Sequence, residues 1–190
     1  LKSLKLVLAL VAFVIFSQAA LTQAADAPLP IADKDAHMGV FSCGGSTCHG
    51  SVQPWPNSNV LQNEFVTWQR QDKHAKAYQV LLNARSKRIA KNLGLKDAHT
   101  AKMCLDCHAD NVPKNRRHRT FQISDGVTCE ACHGGAGRWI GTHLTANAKH
   151  SENLKNGLYP TTDPVARAEL CLSCHLGHES RPMTRRIMGA

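Results

Sequence analysis

Four cysteine pairs, each followed directly by a histidine, constrain this chain more than any other feature of its sequence. Three pairs have the form C-x-x-C-H: "CLDCH" begins at Cys104, "CEACH" at Cys129 and "CLSCH" at Cys171. The pair nearest the N-terminus, "CGGSTCH" from Cys43, has four residues between its cysteines. Together the pairs use all eight cysteines of the chain: Cys43, Cys48, Cys104, Cys107, Cys129, Cys132, Cys171 and Cys174.

Three chemistries use recurring cysteine pairs. Disulfides are common in exported proteins with an even number of cysteines, but a disulfide needs no neighbouring histidine. Structural zinc takes four Cys or His ligands per site and shows no recurrent histidine beside the second cysteine. Covalent c-type haem uses this arrangement, because two thiols attach the porphyrin and the adjacent imidazole binds the iron. The pattern therefore predicts four haem c groups with the iron ligands His49, His108, His133 and His175.

The longer spacing of the first motif needs its own explanation. Gly44 and Gly45 can adopt a left-handed or bulged backbone, which would let Cys43 and Cys48 reach the same porphyrin. His49 keeps its position after the second cysteine. The stretch resembles the C-x-x-x-x-C-H motifs of small tetrahaem cytochromes of sulfate reducers. The alternative is a haem held by one thioether, with Cys43 free.

The N-terminal segment has the layout of a secretory signal peptide. Lys2 and Lys5 precede an apolar run, and small residues follow it. We expect residues 1–24 to be a signal peptide and residues 25–190 to form one tetrahaem domain in the periplasm. An uncleaved anchor is the alternative. No second apolar run appears, so we predict no membrane span after cleavage.

The longest helical pattern covers residues 60–93. Asn59 is its predicted N-cap and Gly94 its predicted stop, with a break near residues 70–74. Residues 28–42, by contrast, are predicted to be an extended arm.

A second helix is predicted from Asp163, as N-cap, through Pro164 into the fourth motif. No strand pattern is convincing, and aromatic residues make up only 5% of the chain, too few for an ordinary apolar core. The predicted fold class is mainly α, a small irregular helical shell wrapped around four covalently attached haems, with little or no β-sheet.

Seven histidines lie outside the motifs and compete with four methionines to be the second iron ligand. His74 is the first candidate, because Ala75 and Ala77 leave room for a porphyrin. His143, after the Gly-rich turn that follows the third motif, is the second. His37 is the third, six residues before Cys43.

The chain has a net charge of +9, but this does not predict nucleic-acid binding. Four haems would add eight propionates, which would bring the chain close to neutrality. Many Lys and Arg side chains are therefore interpreted as propionate partners and solvated surface.

The order of the motifs carries a family resemblance. "HAKA", "CLDCH", "DGVTCEACHG", "GTH" and "CLSCHLG" follow one another between residues 40 and 177. This series resembles the tetrahaem cytochrome c-554 family. The resemblance implies a mainly helical fold, closely stacked haem pairs and electron transfer in the periplasm, with His74 and His143 as distal ligands.

The resemblance also implies that one haem, on Cys104, Cys107 and His108, lacks a sixth protein ligand. Two features depart from the family. The first motif is longer than usual, and related proteins continue beyond the position of Ala190, so a C-terminal truncation is expected.

Three functions agree with these features. The leading hypothesis is an electron carrier between a donor and an acceptor protein, in which no residue acts as acid or base. The second is a reductase or oxidase of a small nitrogen or sulfur species at a five-coordinate haem. The third is self-association as a subunit of a haem filament or redox complex, with His37 as an inter-subunit ligand.

Overall fold

The computed structural model describes residues 27–190, so the predicted signal peptide, residues 1–24, lies outside the described residues. Nine α-helices follow one another in this part of the chain. They are α1 (Glu64–Gln71), α2 (Ala77–Val80), α3 (Ala84–Leu93), α4 (Lys102–His108), α5 (Cys129–His133), α6 (Trp139–His143), α7 (His150–Lys155), α8 (Pro164–His175) and α9 (Arg185–Met188).

Extended pairing is almost absent from residues 27–190. It consists of two isolated bridges, His37 with Arg117 and His178 with Arg181, and no sheet forms among these residues. The predicted fold class, mainly α with little or no β-sheet, is confirmed. None of the helices in the described part combines the length and the apolar character that a membrane crossing requires.

The helical pattern predicted over residues 60–93 is divided, and the break predicted near residues 70–74 is confirmed. The helical region begins at Glu64, not at residue 60, and is divided into α1, a 3-10 turn over Lys73–Lys76, α2 and α3. Asp72 has extended backbone, with ψ 129°, and its carboxylate accepts a hydrogen bond from the amide of His74. Polar side chains that bond nearby amides compete with helix propagation, so the chain restarts at this point.

The second restart lies at Asn83. Its side-chain oxygen accepts a 2.8 Å hydrogen bond from the amide of Ser86 and caps α3. At the other end of α3, Gly94 has φ 75°, the left-handed conformation that favours glycine, so the predicted helix stop is confirmed.

Helix α8 begins where the sequence predicts. The Asp163 carboxylate accepts hydrogen bonds from the amides of Val165 (2.9 Å) and Ala166 (2.8 Å), and Pro164 occupies the first turn. The helix continues through the fourth motif to His175.

The apolar core consists of two small clusters, each beside a motif. The first contains Leu81, Ala90, Ala98, Leu105 and Ala109, with Cys104 packed against it. The second contains Leu29, Tyr159, Ala166 and Leu170, with Cys132 packed against it. The protein atoms alone therefore form only local cores around the cysteine motifs.

The predicted extended arm over residues 28–42 is wrong as well. It contains 3-10 turns at Pro30–Ala32 and Val40–Ser42, and it is packed into the molecule. The amide of His37 donates to the carbonyl of Arg116 (2.8 Å), and the amide of His118 donates to the carbonyl of His37 (2.9 Å). This backbone pairing fixes the arm against residues 116–118.

Candidate functional site

Helices hold the three C-x-x-C-H motifs. The second motif ends α4, the third is the whole of α5, and the fourth ends α8. A helical turn brings cysteines three residues apart to one side and places the following histidine beside them. All eight cysteines are free thiols, as attachment to a porphyrin requires.

The first motif is a compact turn instead of a helix. The Cys48 amide donates to the carbonyl of Gly45 (2.9 Å), and the His49 amide donates to the carbonyl of Cys43 (3.1 Å). The second bond spans the extra residues and returns the chain from His49 to the first cysteine. The two extra residues are therefore absorbed within the turn.

Of the two conformations that the sequence allows for Gly44 and Gly45, left-handed or bulged, the left-handed one is not observed. Neither Gly44 nor Gly45 has a positive φ. Close approach explains Gly44 instead, because a Cβ atom there would lie 2.9 Å from the ring of Phe65. A Cβ atom on Gly50 would collide with the carbonyl oxygen of Gly44. The turn is closed by these backbone contacts.

Two of the predicted distal histidines each face a motif histidine. The ring centroids of His49 and His143 are 6.0 Å apart, with 13° between the ring planes. Those of His74 and His175 are 6.2 Å apart, with 78° between the planes. The structure thus brings together residues that are far apart in sequence, in two pairs that join the first and fourth motifs to the predicted ligands.

These separations fit one metal ion between each pair of rings. An imidazole–metal bond is about 2.0 Å, so opposed coordinating nitrogens are about 4 Å apart and ring centroids roughly 6 Å apart. Both observed distances agree with this value. The centroid distances therefore agree with an iron shared by each pair, and imidazole is a side chain that haem iron binds.

Hydrogen bonds donated by Nδ1 orient three of the motif and candidate histidines. The acceptors are Glu64 Oε2 for His49 (2.8 Å), Asp72 Oδ1 for His74 (2.9 Å) and the Ala77 carbonyl for His108 (3.0 Å). Because Nδ1 carries the proton in each of these bonds, Nε2 keeps its lone pair free for a metal. Metal-binding histidines typically donate this hydrogen bond to a carboxylate or a carbonyl.

Burial favours the neutral imidazole at two further histidines. It lowers the pKa of His133 and of His143, and the nearby charge of His49 lowers both further. A neutral ring is the form that binds iron, so both shifts favour metal binding.

Thiol contacts show which motifs are neighbours. The thiols of Cys43 and Cys129 lie close enough to affect each other: the pKa of Cys43 is lowered and that of Cys129 is raised. Cys107 and Cys174 interact in the same way: the pKa of Cys107 is raised, and that of Cys174 is lowered to about 6. The first motif therefore adjoins the third, and the second adjoins the fourth.

A cavity of about 620 Å³ lies beside the second motif. Cys104, Cys107 and His108 line it together with mainly apolar side chains, among them Met103 and Met183. His108 is the only histidine among the described residues of its lining. The volume lies in the range of cofactor sites.

The third candidate, His37, has a different environment. It is fully buried, its Nδ1 donates to Asp110 (2.8 Å), and its Nε2 lies 3.5 Å from an Asp33 oxygen. Burial lowers the pKa of His37, but hydrogen bonds to Asp110 and Asp33 outweigh that effect and raise it to about 9. No ring contact joins His37 to a motif histidine in the described part, and its role as an iron ligand stays a prediction.

Sequence reasoning missed the carboxylates of the site. Buried Glu130 accepts hydrogen bonds from the amides of Met38, Gly39 and Ala136, at 2.7 to 2.8 Å. These contacts join residues up to 92 positions apart in the sequence, so no local pattern predicts them. The bond from His74 to Asp72 is local, and the "DKH" stretch contains a signal that could have revealed it.

Cysteine pairs with adjacent histidines, in a helical shell that anchors imidazoles through Nδ1, are the architecture of the c-type cytochromes. The model of the family described as cytochrome c554 and c-prime matches residues 42–134. The match supports a c554-type cytochrome family and confirms the resemblance predicted from the order of the motifs. Such a cytochrome carries covalently bound haem c and takes part in electron transfer. No curated protein and no solved structure matches the chain.

Proposed function

We propose that this chain is a periplasmic tetrahaem cytochrome that passes electrons between redox partner proteins. Each cysteine pair would hold one haem c, and the histidine after it would bind the iron. When bound, haem supplies a centre that accepts and releases one electron at each site. The periplasmic location is supported by the layout of residues 1–24 in the sequence.

The two facing histidine pairs carry the proposal. His143 opposite His49 and His74 opposite His175 would bind the iron of the first and fourth motifs from both sides. Two histidine ligands favour a lower potential than histidine with methionine, and they leave no position open for a substrate. Such sites are suited to electron transfer.

The neighbouring motifs provide the route. The mutual pKa effects of Cys43 and Cys129, and of Cys107 and Cys174, support a proposal in which the first site adjoins the third and the second adjoins the fourth. Cys132 is also close enough to Cys171 for that thiol to raise its pKa, after the larger effect of burial. The sites would then follow the order one, three, four, two, so an electron could cross the whole molecule in short steps.

An anaerobic titration tests the proposal. We expect the haem-loaded protein to take up four electron equivalents per chain from a chemical reductant and to return them to a chemical oxidant. Fewer than four equivalents, or a folded chain without haem, would contradict a tetrahaem carrier.

A second candidate function has one observation in its favour. In the cavity beside the second motif, His108 is the only histidine that the described residues supply, so its iron would have a position for a small molecule unless Met103 or Met183 binds it. If so, carbon monoxide should bind to one haem of the reduced protein. If no haem binds carbon monoxide, small-molecule chemistry at this site is ruled out.

A further inference from the structure

The positive charge of the chain is concentrated in one segment. Residues 70–102 contain nine of the 23 Lys and Arg residues and two of the 14 Asp and Glu residues. This segment therefore carries seven of the nine net positive charges, although it is only 33 of 190 residues long. An asymmetry of this kind produces a directed field that can steer a charged partner.

Helix α3 is the centre of this charge. Arg85, Lys87, Arg88 and Lys91 are all exposed, and none forms an ion pair with a residue in the described part of the chain. The first turn contains no acidic residue. Cations at a helix N-terminus oppose the helix dipole, so this arrangement costs stability that an anionic partner would restore.

Two opposite sides of α3 have different roles. Arg85, Ser86, Ile89 and Leu93 line the cavity beside the second motif. With 3.6 residues per turn, Lys87, Arg88 and Lys91 project from the other side, which we call the outer face of α3. Arg85 borders the cavity, whereas the outer face points away from it.

We infer that the outer face of α3 docks an acidic surface of a redox partner protein. The helix is about 10 Å across, so a partner on this face would be one helix thickness from the second site. This inference rests on the proposed electron transfer and adds to it the place of docking and the charge of the partner.

The composition of α3 favours a protein over a membrane surface. A helix that lies in a membrane interface buries aromatic or aliphatic side chains beside its basic residues. In α3 the large apolar residues, Ile89 and Leu93, line the cavity instead. Apart from the small side chain of Ala84, the outer face carries the three cations, which suits contact with carboxylates.

The test compares two triple variants of the haem-loaded protein. The first, K87Q/R88Q/K91Q, removes the three positive charges of the outer face. Glutamine preserves helix propensity. The control, K114Q/R119Q/K149Q, removes two Lys and one Arg that are exposed elsewhere, with no ion pair in the described part of the chain. Stopped-flow absorbance would follow reduction by a reduced flavodoxin with a clustered acidic surface, and by dithionite.

We expect the first triple to lower the second-order rate constant with flavodoxin about tenfold at low ionic strength, and the control to change it little. The difference should disappear at about 1 M salt, where charges are screened within about 3 Å. Equal losses in both triples, or no loss in either, would overturn the inference. So would binding to phosphatidylserine vesicles that the first triple abolishes while the flavodoxin rate is unchanged. Failure of dithionite to produce a ferrous haem spectrum in the unaltered protein would instead count against the proposed function.

Discussion

At the scale of single residues, the bond made by Nδ1 of each histidine determines what Nε2 can do. Glu64, Asp72 and the Ala77 carbonyl each accept a hydrogen bond from Nδ1 of a motif or candidate histidine. The other ring nitrogen, Nε2, is left free. His37 has a carboxylate near each nitrogen, and these carboxylates raise its pKa to about 9. Histidines of one chain thus differ in whether an oxygen lies near one ring nitrogen or near both.

Replacing His74 tests the facing pairs. In His74→Gly the iron on the fourth motif should lose its second ligand, because His74 is the ring that faces His175. We expect one haem to change from low spin to high spin in the ferric spectrum, and added imidazole to restore it. His150→Gly, which alters an exposed histidine, is the control. An unchanged spectrum of His74→Gly would contradict the pairing.

The carboxylate behind His49 should tune the first site. Glu64→Gln keeps a side chain able to accept the Nδ1 hydrogen bond but removes its negative charge. A less basic imidazole stabilises ferric iron less, so the potential of that haem should rise. A spectroelectrochemical titration measures the change, with Glu152→Gln, which alters a surface ion pair to Lys155, as the control. Equal potentials in all three proteins would show that Glu64 does not act on the iron ligand.

At the scale of elements, polar residues that interrupt a helical pattern determine where the helices begin and end. Asp72 and Asn83 divide a continuous helical pattern into pieces, and this division places His74 in a 3-10 turn opposite His175. A straight helix over residues 60–93 would carry that histidine elsewhere. The breaks are therefore part of the construction of the site.

The glycine turn of the first motif gives a prediction at this scale. In Gly50→Ala the new methyl group would collide with the carbonyl oxygen of Gly44, a backbone atom that cannot move aside cheaply. We expect a loss of about 1–3 kcal/mol in the free energy of unfolding and incomplete haem attachment at Cys43 and Cys48. Urea unfolding and a peptide mass map would measure the two effects.

Gly141→Ala is the matched control, because a Cβ atom at Gly141 in α6 meets nothing within 4 Å. Alanine there should be neutral or stabilise the helix by up to about 1 kcal/mol. If Gly50→Ala and Gly141→Ala behave alike, the close contact in the turn does not matter.

At the scale of the whole molecule, a buried polar cluster joins the arm to two motifs. Asp110, two residues after the second motif, accepts hydrogen bonds from His37 (2.8 Å) and Thr128 (3.0 Å). Glu130, inside the third motif, binds amides of the arm on one side and Ala136 on the other. The cluster therefore fixes the second and third motifs relative to each other.

The pKa of His37 predicts a pH dependence of stability. Its folded value of about 9 lies above the unfolded value of about 6.5, so the protonated ring stabilises the folded state. This contribution, roughly 3 kcal/mol, is fully present below pH 6.5 and is lost as the pH rises through about 9. Urea unfolding at a series of pH values should show the loss, and His37→Asn, which keeps a neutral donor, should not. If His37 binds iron instead, the two proteins will have the same pH slope in this range.

The sequence predicts what depends on local pattern. The helix that ends in the fourth motif, its Asp163 cap and the stop at Gly94 follow from neighbouring residues. His74 and His143, two of the three candidates chosen from the sequence, each contact a motif histidine, and their role as iron ligands stays a prediction. The surroundings of His37 and the contact of Cys43 with Cys129 could not be predicted, because they join segments distant in sequence through buried side chains.

The covalent attachment of four haems is tested most directly by the intact mass of the haem-loaded chain. The mass is measured under denaturing conditions that leave thioether bonds in place. We expect a single species with four haem masses added. We also expect peptide fragments that carry one haem on each cysteine pair, including Cys43 with Cys48. A species with fewer than four haems, or cysteine pairs joined as disulfides in the folded protein, would contradict this expectation.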